Sequence, residues 1–159
     1  MEFLENYHIQ GKINCKIRLG LFYNDELVSI LGFRKNKEKW DLSRFTSKYK
    51  VIGGFSKLLK YFIKEYNVKN IYTFADLRYS DNKNNLYLIN GFNEINLTKP
   101  NYYYFRNGLE RYSRIKFQKH KLKNKLKIFD SNLSEVENMY NNGYYRIFDC
   151  GNIKYELKL

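Results

Sequence analysis

The most constraining feature of this sequence is a run of apolar residues whose spacing changes from helical to strand-like. Apolar positions first recur at intervals of three and four, at Ile52, Phe55, Leu58, Leu59, Phe62, Ile63 and Tyr66. This spacing places one apolar stripe along a helix. The β-branched and aromatic residues 70–75 follow, and they predict a strand buried on both faces. After a polar loop over 77–84, a second helical segment leads through Gly91 into Phe92. This order predicts an α/β fold with crossover helices.

The flanking sequence predicts further strands and one more helix. Two strand-like runs, 16–23 and 26–33, flank Asn24-Asp25 and predict a β-hairpin, and residues 39–46 predict a third strand. Residues 92–97 and 102–106 predict a second hairpin, because Pro100 marks a turn between them. Ser134 and Glu137 form a capping box for a short helix ending at Gly143. We then expect a last strand over 144–149 and a tail over 151–159.

Length and charge limit the organisation and the partners. A chain of 159 residues suits one domain, which we expect to contain a core (1–106) and a basic extension (107–159). The net charge of +13 predicts a polyanionic partner, nucleic acid first. Two isolated cysteines indicate a reduced protein, and the sequence has neither an apolar run of ~18 residues nor a signal-peptide pattern. We therefore expect a cytoplasmic protein without a membrane partner.

The basic extension carries the clearest nucleic-acid signal. Residues 106–127 contain nine basic side chains and one acidic residue, Glu110. Lysine and arginine neutralise phosphates, while Tyr112 and Phe117 are candidates for packing against sugars or bases. The alternative is a solvated basic face. The candidate DNA-binding residues are Arg78, Arg106, Arg111, Arg114, Lys116, Lys119, Lys121 and Lys123.

The order of elements, with its glycine-rich helix start, resembles the GNAT acetyltransferase fold. In that family the signature Gln/Arg-x-x-Gly-x-Gly/Ala holds the pyrophosphate of acetyl-CoA at a helix N-terminus. The matching residues here run from Val51 to Ser56, with Gly54 at the fourth position and Val51 in place of Gln or Arg. The resemblance implies a mixed sheet with crossover helices, a cofactor site at Gly53, Gly54 and Ser56, and Tyr87 as general acid. A tight packing turn and a core tyrosine are the alternatives.

A second set of motifs resembles the C-terminal domain of Hef-like phage homing endonucleases. It extends over most of the chain and includes His8-Ile-Gln-Gly11, Leu42-Ser-Arg-Phe45, Phe74-Ala-Asp76, Arg111-Tyr-Ser-Arg114 and Phe117-Gln-Lys-His-Lys-Leu122. More distantly, Leu42-Ser-Arg44 and Phe74-Ala-Asp76 are similar to motifs of Mom-type phage proteins. Those proteins share the GNAT-like core and modify adenine in phage DNA. The resemblance implies a phage or mobile-element protein directed at DNA.

Three residues are the candidates for chemistry beside Tyr87. Asp76 ends a strand, so it is a candidate general base toward an exocyclic amine, or a metal ligand; an N-cap or a salt bridge to Arg78 or Arg44 is the alternative. His8 is a candidate titrating group or metal ligand with Asp76, or a surface residue. Arg44, on the third strand, needs an anion, either Asp76 or a substrate phosphate.

Three functions remain open. The first is a DNA base-modifying transferase that uses Asp76, His8 and Arg44 and reaches its base by flipping or in a single strand. The second is a non-catalytic DNA-targeting module that acts with a separate nuclease, since the sequence has no nuclease motif of its own. The third is an acetyl-CoA-dependent N-acetyltransferase. Acetyl-CoA and a metal ion both stay open as cofactors, and the oligomeric state is not determined.

Overall fold

The chain forms five short helices, nine strands and one 3₁₀ turn in the part that the structure describes. A computed structural model describes residues 2–80, 85–108 and 110–159, so part of the predicted polar loop (77–84) lies outside the described residues. The elements in chain order are α1 (Glu2–Tyr7), β1 (Ile17–Tyr23), β2 (Glu26–Asn36), β3 (Lys39–Ser47), α2 (Gly54–Tyr66), β4 (Asn70–Asp76), α3 (Leu86–Ile89), β5 (Asn93–Leu97), β6 (Tyr102–Phe105), β7 (Arg111–Ser113), the 3₁₀ turn (Arg114–Phe117), α4 (Lys119–Leu122), α5 (Glu135–Asn141), β8 (Tyr145–Phe148) and β9 (Asn152–Lys158).

These elements belong to two compact units. Unit 1 contains the described residues up to Thr98 together with Asn152–Leu159, and unit 2 contains Lys99–Gly151. The predicted division at residue 106 differs from this partition, because β6 belongs to unit 2 and β9 to unit 1. No helix in the described part of the chain is long and apolar enough to cross a membrane.

Unit 1 is a mixed α/β fold built on a six-stranded sheet of order β1-β2-β3-β4-β9-β5. Only β3 and β4 run parallel, and the crossover between them contains α2. The other neighbours are antiparallel. The predicted first hairpin is confirmed: Asn24 and Asp25 both have positive φ, as a tight two-residue turn requires. The predicted third strand, helix α2 and strand β4 are confirmed as well, and unit 1 has the predicted mixed α/β sheet with a crossover helix.

The predictions for the C-terminal part of the sheet are wrong. Strand β5 does not pair with β6; it pairs with β9, which lies between β4 and β5. The segment predicted as a tail is therefore an interior strand. Its residues alternate between polar and apolar, and Ile153, Tyr155 and Leu157 are buried. Burial of this alternate set of side chains accounts for the pairing.

The core of unit 1 lies where α2 packs on the sheet. The ring of Phe62 is fully buried, stacks on Phe33 with centroids 3.5 Å apart and meets Trp40 edge to face. Ile52, predicted to lie on the apolar stripe, precedes α2 and is exposed. Strand β4 is buried on one face only, because Phe74 on its other face is 47% exposed. That less covered face of β4 borders the cleft described below.

Unit 2 is a three-stranded antiparallel sheet of order β7-β6-β8, packed on short helical segments. Its core contains Tyr104, Phe117, Leu122 and Met139. The predicted capping box is confirmed: the Ser134 hydroxyl accepts from the Glu137 N–H, and the Glu137 carboxylate accepts from the Ser134 N–H. Helix α5 ends before Gly143, which has φ +76°, as predicted.

Candidate functional site

The candidate site of unit 1 is a cleft where β3 and β4 separate. Their ladder contains only Trp40 opposite Ile71 and Asp41 opposite Tyr72, and the Thr73 hydroxyl then donates to the Leu42 carbonyl at 2.8 Å. Beyond this point the two strands have no register with each other. The register of β3 with β2 shifts at Ser43, and such a bulge bends a strand and increases its twist. The result is a cleft of about 410 Å³.

The four residues predicted for catalysis come together around this cleft. His8, Arg44, Asp76 and Tyr87 all line it, although they lie in four separate elements or loops. The sequence therefore identified a spatial cluster. Further lining residues were not singled out, among them Arg34, Asp41, Ser43 and Asn152. Arg34 lies just beyond the predicted strand 26–33, and the alternation of polar and apolar residues through Phe33 is the signal that extends β2 over it.

His8 is a neutral imidazole in this site. Its Nδ1 atom accepts a hydrogen bond from the Gln10 N–H at 3.0 Å, so the proton of the neutral ring lies on Nε2. Burial, and secondarily the charge of Arg44, lowers the pKa of His8 to about 4. At neutral pH the ring is therefore a hydrogen-bond donor at Nε2 and a weak base.

Arg44 is a half-buried guanidinium held by backbone carbonyls. Its Nε donates to the Gly11 carbonyl at 3.1 Å and its Nη1 to the Ser43 carbonyl at 2.7 Å. No carboxylate of the described residues forms an ion pair with it. Burial lowers the pKa of Arg44, but an arginine stays charged in proteins. Its positive charge is thus oriented in the cleft without an anionic partner among those residues.

The two carboxylates of the cleft are each paired with an arginine. Asp76 accepts from Nε and Nη2 of Arg78, the latter at 2.6 Å, and from the Arg78 N–H. These hydrogen bonds hold the pKa of Asp76 below its ordinary value. Buried Asp41 pairs with Arg34, whose Nε also donates to the Ser43 hydroxyl at 2.8 Å. The salt bridge with Arg78, one of the alternatives for Asp76, is present, and Arg44 is not its ion-pair partner.

Tyr87 lines the cleft with a partly buried ring. The ring packs against Phe55, Phe92 and Tyr155, with centroids 5.3–5.9 Å away. Burial raises the pKa of Tyr87, and a hydrogen bond with Thr73 opposes this shift. The hydroxyl therefore stays protonated at neutral pH, as a proton donor must. Because the ring is also a core residue, the packing role and the cleft role coexist.

Gly53, Gly54 and Ser56 form the first turn of α2 and do not themselves line the cleft. Gly53 has φ +73°, and a Cβ added there would meet no atom within 4 Å. The N–H groups of Phe55 and Ser56 donate to no atom of the described residues, and no acidic side chain lies in this turn. The ring of Phe55 contacts Phe45 and Tyr87, which do line the cleft. The turn is therefore adjacent to the cleft.

The backbone of this turn fits a pyrophosphate, whereas the side-chain part of the family signature is missing. Free N–H groups at a helix N-terminus bind anions, and the open space at Gly53 lets a ligand approach the backbone. Val51 replaces the signature Gln or Arg, and its Cγ1 would lie 3.0 Å from a Cβ at Gly54. For a metal ion, the described residues contain no group of three or more His, Cys, Asp or Glu side chains that could hold one.

The predicted DNA-binding residues divide between two places. Arg78 lies in unit 1 and pairs with Asp76. The others lie in unit 2, where Lys121 donates to the Ile115 carbonyl and the Gln118 side chain. The prediction that Phe117 packs against a nucleic acid is wrong, because its ring is buried in the core of unit 2. Tyr112 packs against the same core, and its hydroxyl donates to Glu110.

Comparison with known proteins gives a similarity of fold. No protein-family model matches the sequence, and no curated protein matches it. Among solved structures, the chain is similar to the PaiA N-acetyltransferase of Thermoplasma acidophilum, determined in complex with coenzyme A. The match has 14% sequence identity and a TM-score of 0.45, and it covers 90% of this chain and 60% of the other. The chain thus spans about 60% of the length of that structure.

Proposed function

We propose that unit 1 is an acyltransferase that takes its acyl group from a coenzyme A thioester and transfers it to an amine. The observation that carries this proposal is the separation of β3 and β4 beside the first turn of α2. It leaves the inner edges of two parallel strands without a ladder between them. An extended ligand with amide groups can pair with such edges, as an added strand would. The pantetheine arm of coenzyme A is a ligand of that kind, and the α2 turn supplies donors for its pyrophosphate.

The cleft residues support the chemistry of such a transfer. The amine nitrogen attacks the thioester carbonyl carbon and releases one N–H proton to a base or to solvent, and the carbon–sulfur bond breaks as the amide forms. The leaving thiolate takes up a proton, which Tyr87 at the cleft can give from its hydroxyl. His8 and Arg44 line the same cleft, and their N–H groups can stabilise the oxyanion of the tetrahedral intermediate.

Binding of the donor is tested with a substitution in the α2 turn. Ser56→Glu places a negative charge where the pyrophosphate would bind, although it favours the helix dipole and so preserves folding. We expect isothermal titration calorimetry to show acetyl-CoA binding to the parent protein and at least tenfold weaker binding to Ser56→Glu. Ser56→Ala is the matched control. Val51→Gln supplies the glutamine with which the signature begins and is expected to tighten acetyl-CoA binding. Absence of binding to every variant, Val51→Gln included, contradicts the proposal.

A nucleobase amine is the acceptor class that the charges of the cleft favour. An alkylammonium acceptor must first lose a proton, but His8 and Asp76 are both poor bases at neutral pH. The charge of Arg44 also repels a cation. An exocyclic aromatic amine is neutral and becomes strongly acidic only on attack, so a paired carboxylate such as Asp76 can accept its proton. This supports the DNA-directed transferase suggested by the Mom-type resemblance as the second, narrower candidate.

The acceptor is tested by mass spectrometry of nucleosides from plasmid DNA in cells that express the protein. A DNA-directed transferase gives a new acylated nucleoside that is absent with Asp76→Asn and strongly reduced with Tyr87→Phe. The phenylalanine keeps the ring packing against Phe55 and Tyr155, so its folding serves as the control. Unmodified DNA, together with acylation of a peptide or polyamine in vitro, restricts the protein to the first candidate. If acetyl-CoA binds but no acyl transfer occurs, both transferase candidates fail, and the non-catalytic DNA-targeting module is the function left.

A further inference from the structure

The outer face of the unit 2 sheet carries aromatic rings that are partly exposed. Tyr103 lies opposite Ser113 and Ile147, and Phe105 lies opposite Arg111 and Tyr145. Directly opposed side chains share one face of an antiparallel sheet. On this face Tyr103 is 37%, Tyr145 56% and Ile147 45% exposed. The opposite face contains fully buried Tyr104 and forms the core. The alternation of the strands therefore separates a structural face from a partly exposed aromatic face.

The arginines of unit 2 are held on aromatic rings and not in ion pairs. The guanidinium carbon of Arg111 lies 5.9 Å from the centre of the Tyr103 ring. Those of Arg114 and Arg146 lie 5.2 and 5.3 Å from the centre of the ring of Tyr102, which lies on the opposite face of the sheet. Stacking of this kind orients a guanidinium and leaves its N–H groups free for an anion. All the ion pairs formed by the described residues lie in unit 1.

The acidic residues of unit 2 are occupied by neutral donors. Glu135 accepts from the hydroxyls of Tyr102 and Tyr104, and Glu110 from that of Tyr112. The remaining acids, Asp130, Glu137 and Asp149, accept from backbone N–H groups. Unit 2 contains eleven basic and five acidic residues, so it has a net charge of +6. Its described residues form no salt bridge with one another. Its surface is complementary to a polyanion.

We propose that this outer face binds single-stranded nucleic acid. Bases stack on Tyr103 and Tyr145, and Arg111 holds a phosphate. Tyr103 and Tyr145 are diagonal neighbours on the adjacent strands β6 and β8, and such positions lie about 7–8 Å apart, so successive bases of an extended strand can rest on separate rings. Base stacking on exposed rings beside cations is the recognition mode of proteins that bind single strands. A duplex hides the faces of its bases, and a second copy of this chain carries the same positive charge. The inference goes beyond the cleft chemistry and does not depend on it.

The test compares a single strand with its duplex in fluorescence anisotropy titrations of the 159-residue protein. We expect the labelled single strand to bind more tightly than the duplex of the same sequence. Tyr103→Ala and Tyr145→Ala should each weaken single-strand binding by about 5- to 100-fold. Tyr103→Phe and Tyr145→Phe keep the ring and should bind within about twofold of the parent. Parallel titrations with DNA and RNA strands distinguish the two sources of this ligand.

Salt dependence separates the rings from the cations. Loss of a ring should leave the slope of log affinity against log salt unchanged, whereas Arg111→Gln should reduce it by about 0.7. Tyr103→Thr keeps a strand-forming residue without a ring, so it replaces Tyr103→Ala if that variant does not fold. Equal binding by the alanine and parent proteins overturns the proposal. Duplex binding that is as tight as single-strand binding and does not depend on the rings also overturns it, as does failure to bind any strand. A dimer that is seen in sedimentation and is dissociated by the alanine substitutions would overturn it too.

Discussion

At the scale of single residues, the cleft is defined by how its charges are already engaged. Asp76 and Asp41 each have an arginine, while Arg44 has only the carbonyls of Gly11 and Ser43. A carbonyl orients a guanidinium but does not neutralise it, so an incoming anion or oxyanion gains the full interaction. The asymmetry makes Arg44, and not Asp76, the residue whose charge is available to a ligand.

The ionisation of His8 provides a residue-scale prediction. Its pKa of about 4 lies below the ordinary value of 6.5, so the unfolded chain binds more protons between these pH values. The contribution of the neutral His8 ring to the free energy of unfolding is therefore fully present above pH 6.5 and is lost as the pH falls toward 4. We expect an NMR titration of the His8 ring to give a midpoint below 5. In denaturant titrations, His8→Gln should lose less stability than the parent over this range; equal losses would exclude this linkage.

At the scale of elements, α2 stabilises unit 1 through a few aromatic contacts. Phe62 is fully buried between Phe33 and Trp40, whereas its neighbour Tyr61 is exposed. Phe62→Ala should lower the free energy of unfolding by about 3–5 kcal/mol, because it removes buried area and leaves a cavity. Tyr61→Ala, which removes a ring of similar size from the solvent side, should cost less than about 1 kcal/mol. Urea titrations followed by Trp40 fluorescence measure both, and similar losses would contradict the packing described.

Helix α5 depends on its capping box. Ser134→Ala removes the acceptor for the Glu137 N–H and should cost about 1 kcal/mol. Hydrogen exchange of the α5 amides should then be about fivefold faster where local opening limits exchange. The exposed Ser131, three residues earlier, is the matched control, and Ser131→Ala should leave these rates unchanged. A similar acceleration in both variants would mean that the cap does not limit the opening of α5.

At the scale of the whole molecule, unit 2 is inserted between two paired strands of unit 1. The Thr98 N–H donates to the Asn152 carbonyl at 2.8 Å, and the Asn152 N–H donates to the Thr98 hydroxyl at 2.9 Å. The two residues that flank the insertion are therefore hydrogen-bonded to each other. Strands β5 and β9 are the closing antiparallel pair of the sheet, although unit 2 separates them in sequence.

Removal of unit 2 should leave unit 1 folded. Replacing residues 99–151 by Asn-Gly converts β5 and β9 into a two-residue hairpin, for which that dipeptide is favoured. We expect this variant to unfold cooperatively, to keep any acetyl-CoA affinity and to lose single-strand binding. Deletion of residues 152–159 should instead abolish folding, because it removes Ile153, Tyr155 and Leu157 from the core. An unfolded Asn-Gly variant would contradict the independence of unit 1.

The sequence by itself determined the features whose signal is local. The Asn24-Asp25 turn, helix α2, the position of strand β4 and the capping box were predicted correctly, because each depends on residues close in the chain. The residues predicted for the cleft, His8, Arg44, Asp76 and Tyr87, do line one cleft. Their roles stay predictions.

Only the tertiary structure decided which strands pair and which faces are covered. The polar–apolar alternation of residues 152–158 was present in the sequence, yet a strand's partner depends on burial against distant residues, here β4 and β5. The same limit applied to the rings of unit 2. Alternation shows that Tyr103 and Tyr112 are on opposite faces, but packing against Phe117 and Leu122 decides which face is core. The outer face, and the stacking of Arg111 on Tyr103 there, follow from that long-range choice.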